Sequence, residues 1–241
     1  MSALFVLAAL LACPAGAAES AASFGAGASA TVGSGGYSQI ALDADGLWRG
    51  RNVDPYGWAR FGSDNFVRQL ALGGGVWKDL RGDWRAAWGG GLIFGGLKDA
   101  GAAQGVSVLL ETALEEDFER AIAGAGYALT AGSLVGPDES RAVESPAGRR
   151  ARGAASAASS QAAPERLTNH ELSVDAKLLL GAVTPGAGLA LVLPSNSRSV
   201  VVETLRCKIR VSRALSLTPK VSFEEGAANN AYFSLGLYYL F

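Results

Sequence analysis

Apolar and polar positions take turns along much of this chain. From residue 172 to 182, Leu172, Val174, Ala176, Leu178, Leu180 and Ala182 fall on one parity, and Ser173, Asp175, Lys177 and Gly181 fall on the other. Successive side chains of a strand point to opposite faces, so period two predicts a strand with one greasy and one polar face. Residues 200–211 repeat the pattern: Val201, Leu205, Cys207, Ile209 and Val211 oppose Thr204, Arg206, Lys208 and Arg210, with Glu203 interrupting the apolar side. Residues 215–223 set Leu215, Leu217, Pro219, Val221 and Phe223 against Ser216, Thr218, Lys220 and Ser222. Proline supplies no ladder donor, so Pro219 predicts an irregularity or bulge.

Other segments alternate less sharply. Phe24, Ala26, Ala28, Ala30 and Val32 predict a strand over 23–33. Residues 66–77 and 84–95 predict a hairpin around 78–83. One face of that hairpin holds Leu70, Leu72, Val76, Trp84, Trp88, Leu92 and Phe94, and the other holds Gly73, Gly75, Gly89 and Gly91. A second hairpin joins 105–114 to 118–133 around 115–117. A short strand at 187–193 follows the turn 184–186, and the last strand is 230–241. The total is ten antiparallel strands, with eight to twelve as the range, because 34–63 has room for two more and 187–193 is short. An even number is expected of a closed bacterial barrel.

Residues 135–166 have no usable period. They are rich in Ala, Ser, Arg and Glu, with Pro137, Pro146 and Pro164 and the basic cluster Arg149, Arg150 and Arg152. Such a composition buries too little apolar area to order itself, and predicts a long flexible loop.

Composition narrows the class. Among 241 residues 49% are hydrophobic and 18% charged, and Gly reaches 32, nearly double the usual share of about 7%. That excess argues against a helical bundle. No stretch beyond residue 18 approaches the roughly 18–20 consecutive apolar residues of a membrane helix. Lys and Arg total 21 against 22 Asp and Glu, for a net charge of −1, so nothing favours nucleic acid as a partner. Two Cys are too few for a disulfide framework or a Cys-based zinc site.

The apolar run 3–12 followed by Ala15-Gly16-Ala17 reads as a signal peptide over 1–17, although no Lys or Arg precedes the run. Leu10-Leu11-Ala12-Cys13 offers a competing lipidation site at Cys13. The mature chain, 18–241, then keeps one thiol, Cys207, expected to be a small buried apolar side chain.

A soluble sandwich also alternates, so alternation alone does not put this chain in a membrane. Three features favour an antiparallel transmembrane β-barrel. Short turns alternate with longer connections at 34–63, 135–166 and 194–199. Aromatic residues (Trp77, Trp84, Trp88, Tyr239, Phe241) gather at strand ends, where a membrane–water interface favours them. The last strand runs Phe233, Leu235, Leu237, Tyr239, Phe241 on one parity and stops on an aromatic. With Ser234, Gly236, Tyr239 and Phe241 in their places, this terminus resembles the assembly signal of bacterial outer-membrane β-barrel proteins. The resemblance covers the last eight residues. It implies location in the bacterial outer membrane, recognition by the barrel-assembly machinery, and closure against the first strand. In size the chain also resembles the small OmpW/OprG-like and OmpX-like barrels, but ten strands and a 32-residue loop depart from their usual eight strands, and no residue roles carry over.

Chemistry is sparse. The only His, His170, falls on the lipid-side parity, opposite to its neighbours Asn169 and Glu171, so a catalytic base with a positioned partner is not expected. Asp43-Ala44-Asp45-Gly46 has the start of a calcium loop without its later acidic ligands, and reads as a turn. No metal, cofactor or enzymatic activity is expected. The charged face is Arg206, Lys208 and Arg210, joined by Lys220 and by Glu171, Asp175 and Lys177 on the lumen parity, with Arg85 and Glu111 from two further strands. Unpaired cations lining water favour anions in a narrow pore; the mixed signs equally suit pairing across a filled interior, while lumen glycines leave space.

The sequence therefore predicts an outer-membrane barrel that is a small passive pore or solute-binding channel. The alternative is a non-conducting surface barrel with a structural or ligand-interaction role through its loops. The partners expected are outer-membrane lipid, the barrel-assembly machinery and a small solute or surface ligand.

Overall fold

Twelve strands follow one another in the computed structural model, which describes residues 22–65, 67–97, 104–133, 166–195, 198–226 and 229–241. They are β1 (Ala22–Gly33), β2 (Ser38–Trp48), β3 (Asp54–Asp64), β4 (Val67–Asp79), β5 (Trp84–Leu97), β6 (Gln104–Phe118), β7 (Ala121–Ser133), β8 (Arg166–Leu178), β9 (Val183–Pro194), β10 (Val200–Arg210), β11 (Leu215–Glu225) and β12 (Asn230–Leu240). Each pairs antiparallel with the next, and β12 pairs with β1, so the sheet closes into a barrel with no free edge.

The count is twelve, not ten. The two added strands, β2 and β3, both come from the segment 34–63. β2 alternates in its first half, Ile40 and Leu42 outside against Asp43 and Asp45 inside, and fades at Ala44 and Gly46; β3 is muted because Gly57 and Ala59 face out while Tyr56 and Trp58 face in. A small residue outside and a ring inside invert the usual contrast. Three turns also shift. Residues 115–117 lie inside β6, whose turn is Glu119–Arg120; 184–186 lie inside β9, whose preceding turn is 179–182; and the Asp43–Gly46 stretch is strand. Pro219 adds no bulge. The registers Arg206–Lys220 and Ile209–Leu217 enclose equal numbers of residues on both strands, and the ladder merely lapses between them. The expected signal segment 1–17 and nearly all of the loop 135–166 lie outside the described residues.

The registers stagger the sheet by about 14 residues in one circuit of the barrel. With strands ~4.8 Å apart, twelve strands at that stagger tilt by about 40° and give a backbone radius of about 12 Å. The start of β1 and the end of β12 share one end, here the terminal end. Its turns are short: 49–53, 80–83, 119–120, 179–182 and 211–214. Gly82 (φ 76°) and Gly181 (φ 70°) supply the left-handed backbone that two of these turns require.

Outside, the barrel is apolar. Leu205, Leu110 and Val174 are each more than half exposed, which water would penalise and lipid does not. Aromatic residues ring both ends of this surface. Phe24 packs edge-on against Trp48 at 5.4 Å, and Tyr239 against Phe241 at 5.0 Å, with Trp84 and Phe118 completing the terminal-end ring. Phe94, Phe223 and Phe233 mark the far end. Trp77 does not join the ring: it points inward and is buried. Cys207 lies on the outer face, half-buried, so the thiol meets the lipid side and not a protein interior.

The packed core is inside the barrel and on one flank. Tyr56, Trp58, Ala71, Trp77, Ala87, Ile93, Leu109 and Ala128, from β3 to β7, form one buried cluster. Ile93 and Leu109 are almost completely inaccessible. Such a flank displaces any bore towards β8–β12.

Candidate functional site

Among the described residues, charge, aromatic rings and glycine converge on the lumen. Several of its glycines do not leave space, as their number had implied, but seat rings. A Cβ on Gly25 would fall within the Tyr238 ring, and one on Gly33 within the Tyr232 ring. On the other flank, one on Gly73 would come within 2.7 Å of Trp58 Cε2 and one on Gly75 within 2.7 Å of Tyr56 Oη. Rings therefore lie flat on the inner wall. Two guanidinium groups cap them: Arg60 stands 5.2 Å from the centre of the Trp58 ring, and Arg85 stands 5.3 Å from that of Trp77. A guanidinium plane is attracted by the ring's negative face and keeps its edge free for oxygen acceptors.

At the terminal end the charges link around the wall. Arg85, at the start of β5, reaches Asp54 at 2.9 Å and Asp79 at 2.7 Å. Glu115, near the end of β6, sits in the field of Lys177, Asp175, Arg85 and Arg206. Arg206 pairs with Asp175 at 2.9 Å across β9, which offers only Gly186 and Gly188 between them. Tyr238 donates to Asp45 across β1 and offers its ring to Lys208 Nζ at 5.6 Å. Water reaches this region: the Arg206 and Asp175 side chains are 22% and 28% exposed.

The residues singled out from the sequence separate into groups here. Arg206 and Asp175 form the pair just described. Lys177, Lys208 and Arg210 cluster near the same mouth. Lys220 sits farther along, opposite Arg206 and Ser234 in the ladder. Glu171 lies in the far half of β8 and is buried. Arg85 belongs to the terminal-end network, whereas Glu111 accepts a 2.9 Å hydrogen bond from Tyr56 within the core flank. In the last strand, Ser234 is buried and shares a 2.8 Å hydrogen bond with Thr31 across the closing seam, and Gly236 stands opposite Ser29. Tyr239 and Phe241 face outward.

Several contributors were not anticipated. Asp45, Asp54, Glu115, Tyr56, Trp58 and Tyr238 all face the lumen. Tyr238 carried a signal, being a ring on the parity opposite to the apolar run of β12. Asp45 was masked by its reading as a turn. His170 is exposed on the outer face, where its Nδ1 is 2.7 Å from Tyr127 Oη; Asn169 and Glu171 point the other way into the barrel. Among the described residues no group of three or more His, Cys, Asp or Glu is arranged to hold a metal ion.

No protein-family model matches the chain, and no curated protein sequence does. Solved structures do match in shape. The NanC porin superposes with a TM-score of 0.60 at 8% identity, over 89% of this chain and 98% of that one. The KdgM porin, in complex with disordered oligogalacturonate, gives 0.57 at 7% identity over the same shares. The toluene transporter TodX of Pseudomonas putida gives 0.52 at 8% identity, over 97% of this chain and 92% of that one. At these identities the likeness is one of fold. The fold is that of a bacterial outer-membrane β-barrel, as the sequence predicted, and the apolar outer surface with its two aromatic rings is the face such a barrel turns to the outer membrane.

Proposed function

We propose that this protein is a small passive pore of the outer membrane, admitting hydrophilic solutes, with its terminal end towards the periplasm. The observation that carries the reading is a lumen lined at that end by water-accessible charge in a barrel of about 12 Å backbone radius. Eight-stranded barrels are filled by their own side chains, whereas wider ones enclose channels. Twelve strands lie between. The core flank of β3–β7 takes up part of the interior and leaves the polar flank of β8–β12 to line a passage. The porins and the transporter that share the fold support the same direction.

A second reading has its own observation. Asp64, Glu171, Glu224, Ser107, Asn169 and Ser222, all in the far half of the lumen, are buried. A barrel filled there conducts nothing and acts through its surface loops. Conductance in planar bilayers separates the two. Discrete openings from detergent-folded protein support the pore. A silent bilayer with correctly folded protein, together with ligand binding abolished by deleting residues 138–165, supports the surface role.

A further inference from the structure

The basic residues of the lumen are not equivalent, and the difference assigns a site. Arg206 is bound to Asp175 and Arg85 to Asp54 and Asp79. Lys177, Lys208 and Arg210 make no ion pair among the described residues. Lys177 is the penultimate residue of β8, Arg210 ends β10, and Lys208 lies in the field of both. The strand between them, β9, contributes Thr184 opposite Lys208 and Gly186 opposite Lys177. Gly186 keeps the wall low: a Cβ there would already be within 3.3 Å of Lys177 Cβ and 3.4 Å of Arg206 Nε. Lys208 and Arg210 are exposed. Three cations therefore gather at one mouth of the lumen: Arg210 and Lys208 on β10, the latter reaching towards the Tyr238 ring, and Lys177 across the low floor of β9, where Thr184 adds a hydroxyl.

Like charges held together cost free energy unless an anion joins them. The nearby carboxylates supply only part of that charge. Asp175 is bound to Arg206, Asp45 lies in the field of Lys208, and Glu115 is shared between the fields of Lys177, Arg85 and Arg206, which leaves three cations to two shared carboxylates. We propose that Lys177, Lys208 and Arg210 form a subsite for a multivalent oxyanion, a solute bearing two or more carboxylate or phosphate groups, at the terminal-end mouth. Ammonium and guanidinium groups give such an oxyanion charge-assisted hydrogen bonds, and Thr184 adds a neutral donor. The role of the subsite in passage rests on the pore reading; the binding itself does not.

Two measurements test it on detergent-folded full chain whose heat-modifiable migration is intact. The first is calorimetric titration with sodium tripolyphosphate. Binding should weaken as ionic strength rises, and should fall at least tenfold in the variant Lys177→Ser, Lys208→Ser, Arg210→Ser. A control, Lys78→Ser, Arg81→Ser, Arg213→Ser, removes equal charge from the rim and turns and should bind within twofold of the parent. The single change Lys208→Gln should weaken binding severalfold, and it carries the test if the triple variant does not fold. Absence of binding by the parent, or equal affinity in the lumen variants, overturns the subsite. The second measurement is reversal potential across a KCl gradient. The parent should prefer chloride severalfold, and the lumen variant should lose that preference. Channels whose selectivity ignores the substitutions count against the subsite alone. Silent bilayers with intact tripolyphosphate binding count against the pore alone.

Discussion

The hydroxyl of Tyr238, three residues from the end of the chain, reaches both carboxylate oxygens of Asp45, at 2.9 and 3.1 Å. To do so it crosses the whole width of β1, and Gly25 is the residue that lets it pass. The last strand is thus fastened to the second as well as to the first. Thr31 with Ser234, and Ser34 with Asn230, add further ties along the same seam.

Tyr238→Phe leaves the ring in place and removes the donor from a half-buried carboxylate. Stripping one partner from such a group costs about 1–3 kcal/mol. Urea unfolding in detergent should show a loss of that order, and a shift much below it would mean that water takes over the bond.

Gly25→Ala should destabilise far more with Tyr238 present than without it. All three nearest atoms to the new methyl belong to that one ring. In a double-mutant cycle with Tyr238→Ala, the alanine at 25 should be nearly neutral on the second background, giving a coupling of about 1–3 kcal/mol. An additive cycle would sink the idea that the glycine exists to seat the ring.

Leu205 is outward on β10 and 59% exposed. If that face meets acyl chains, Leu205→Arg should cost about 2–4 kcal/mol in vesicles. A change at a water-exposed position would stay within about 0.5 kcal/mol. Unfolding titrations in lipid vesicles distinguish these values directly.

The outward ring of Phe241 and the terminal strand it closes resemble an assembly signal. Phe241→Ala should lower the amount of folded barrel recovered from outer membranes severalfold while leaving refolding in detergent almost unchanged. Equal losses in both settings would mean that the ring serves packing and not recognition.

Arg206→Ala should cost on the order of 1 kcal/mol in stability, because its pair with Asp175 is partly open to water. The freed carboxylate should nevertheless lower chloride preference, and Asp175→Asn should move selectivity the opposite way. Reversal potentials that do not separate the two variants would argue against passage along β8–β10.

Sequence reading succeeded where the two faces of a strand differ most. β8 and β10 carry long aliphatic residues outside and charge inside, and β12 sets Phe233, Leu235 and Leu237 outside against Ser234 and Gly236 inside, so period two stands out. It faltered at β2, whose Asp43-Ala44-Asp45-Gly46 stretch reads as a turn although Ile40 and Leu42 face out and both carboxylates face in. It faltered again at β3, where Gly57 and Ala59 face out while Tyr56 and Trp58 face in, and the outer surface is shaped by what is missing. The lumen-facing parity of Arg206, Lys208 and Arg210 followed from alternation alone. Their partners did not, because Asp175 meets Arg206 across an intervening strand, and pairing at that distance depends on barrel stagger and on the absence of side chains at Gly186 and Gly188. Glycine was legible as abundance, but its job of receiving a ring from another strand belongs to three dimensions.

The fastening of β12 to β2 has a bearing on how the cylinder could be prised apart. Parting β12 from β1 along their ladder leaves the phenol still tied to Asp45 on the ribbon beyond. Opening the wall there must break a side-chain rivet as well as a row of backbone bonds, so the closure of the sheet is reinforced where its first and last ribbons meet.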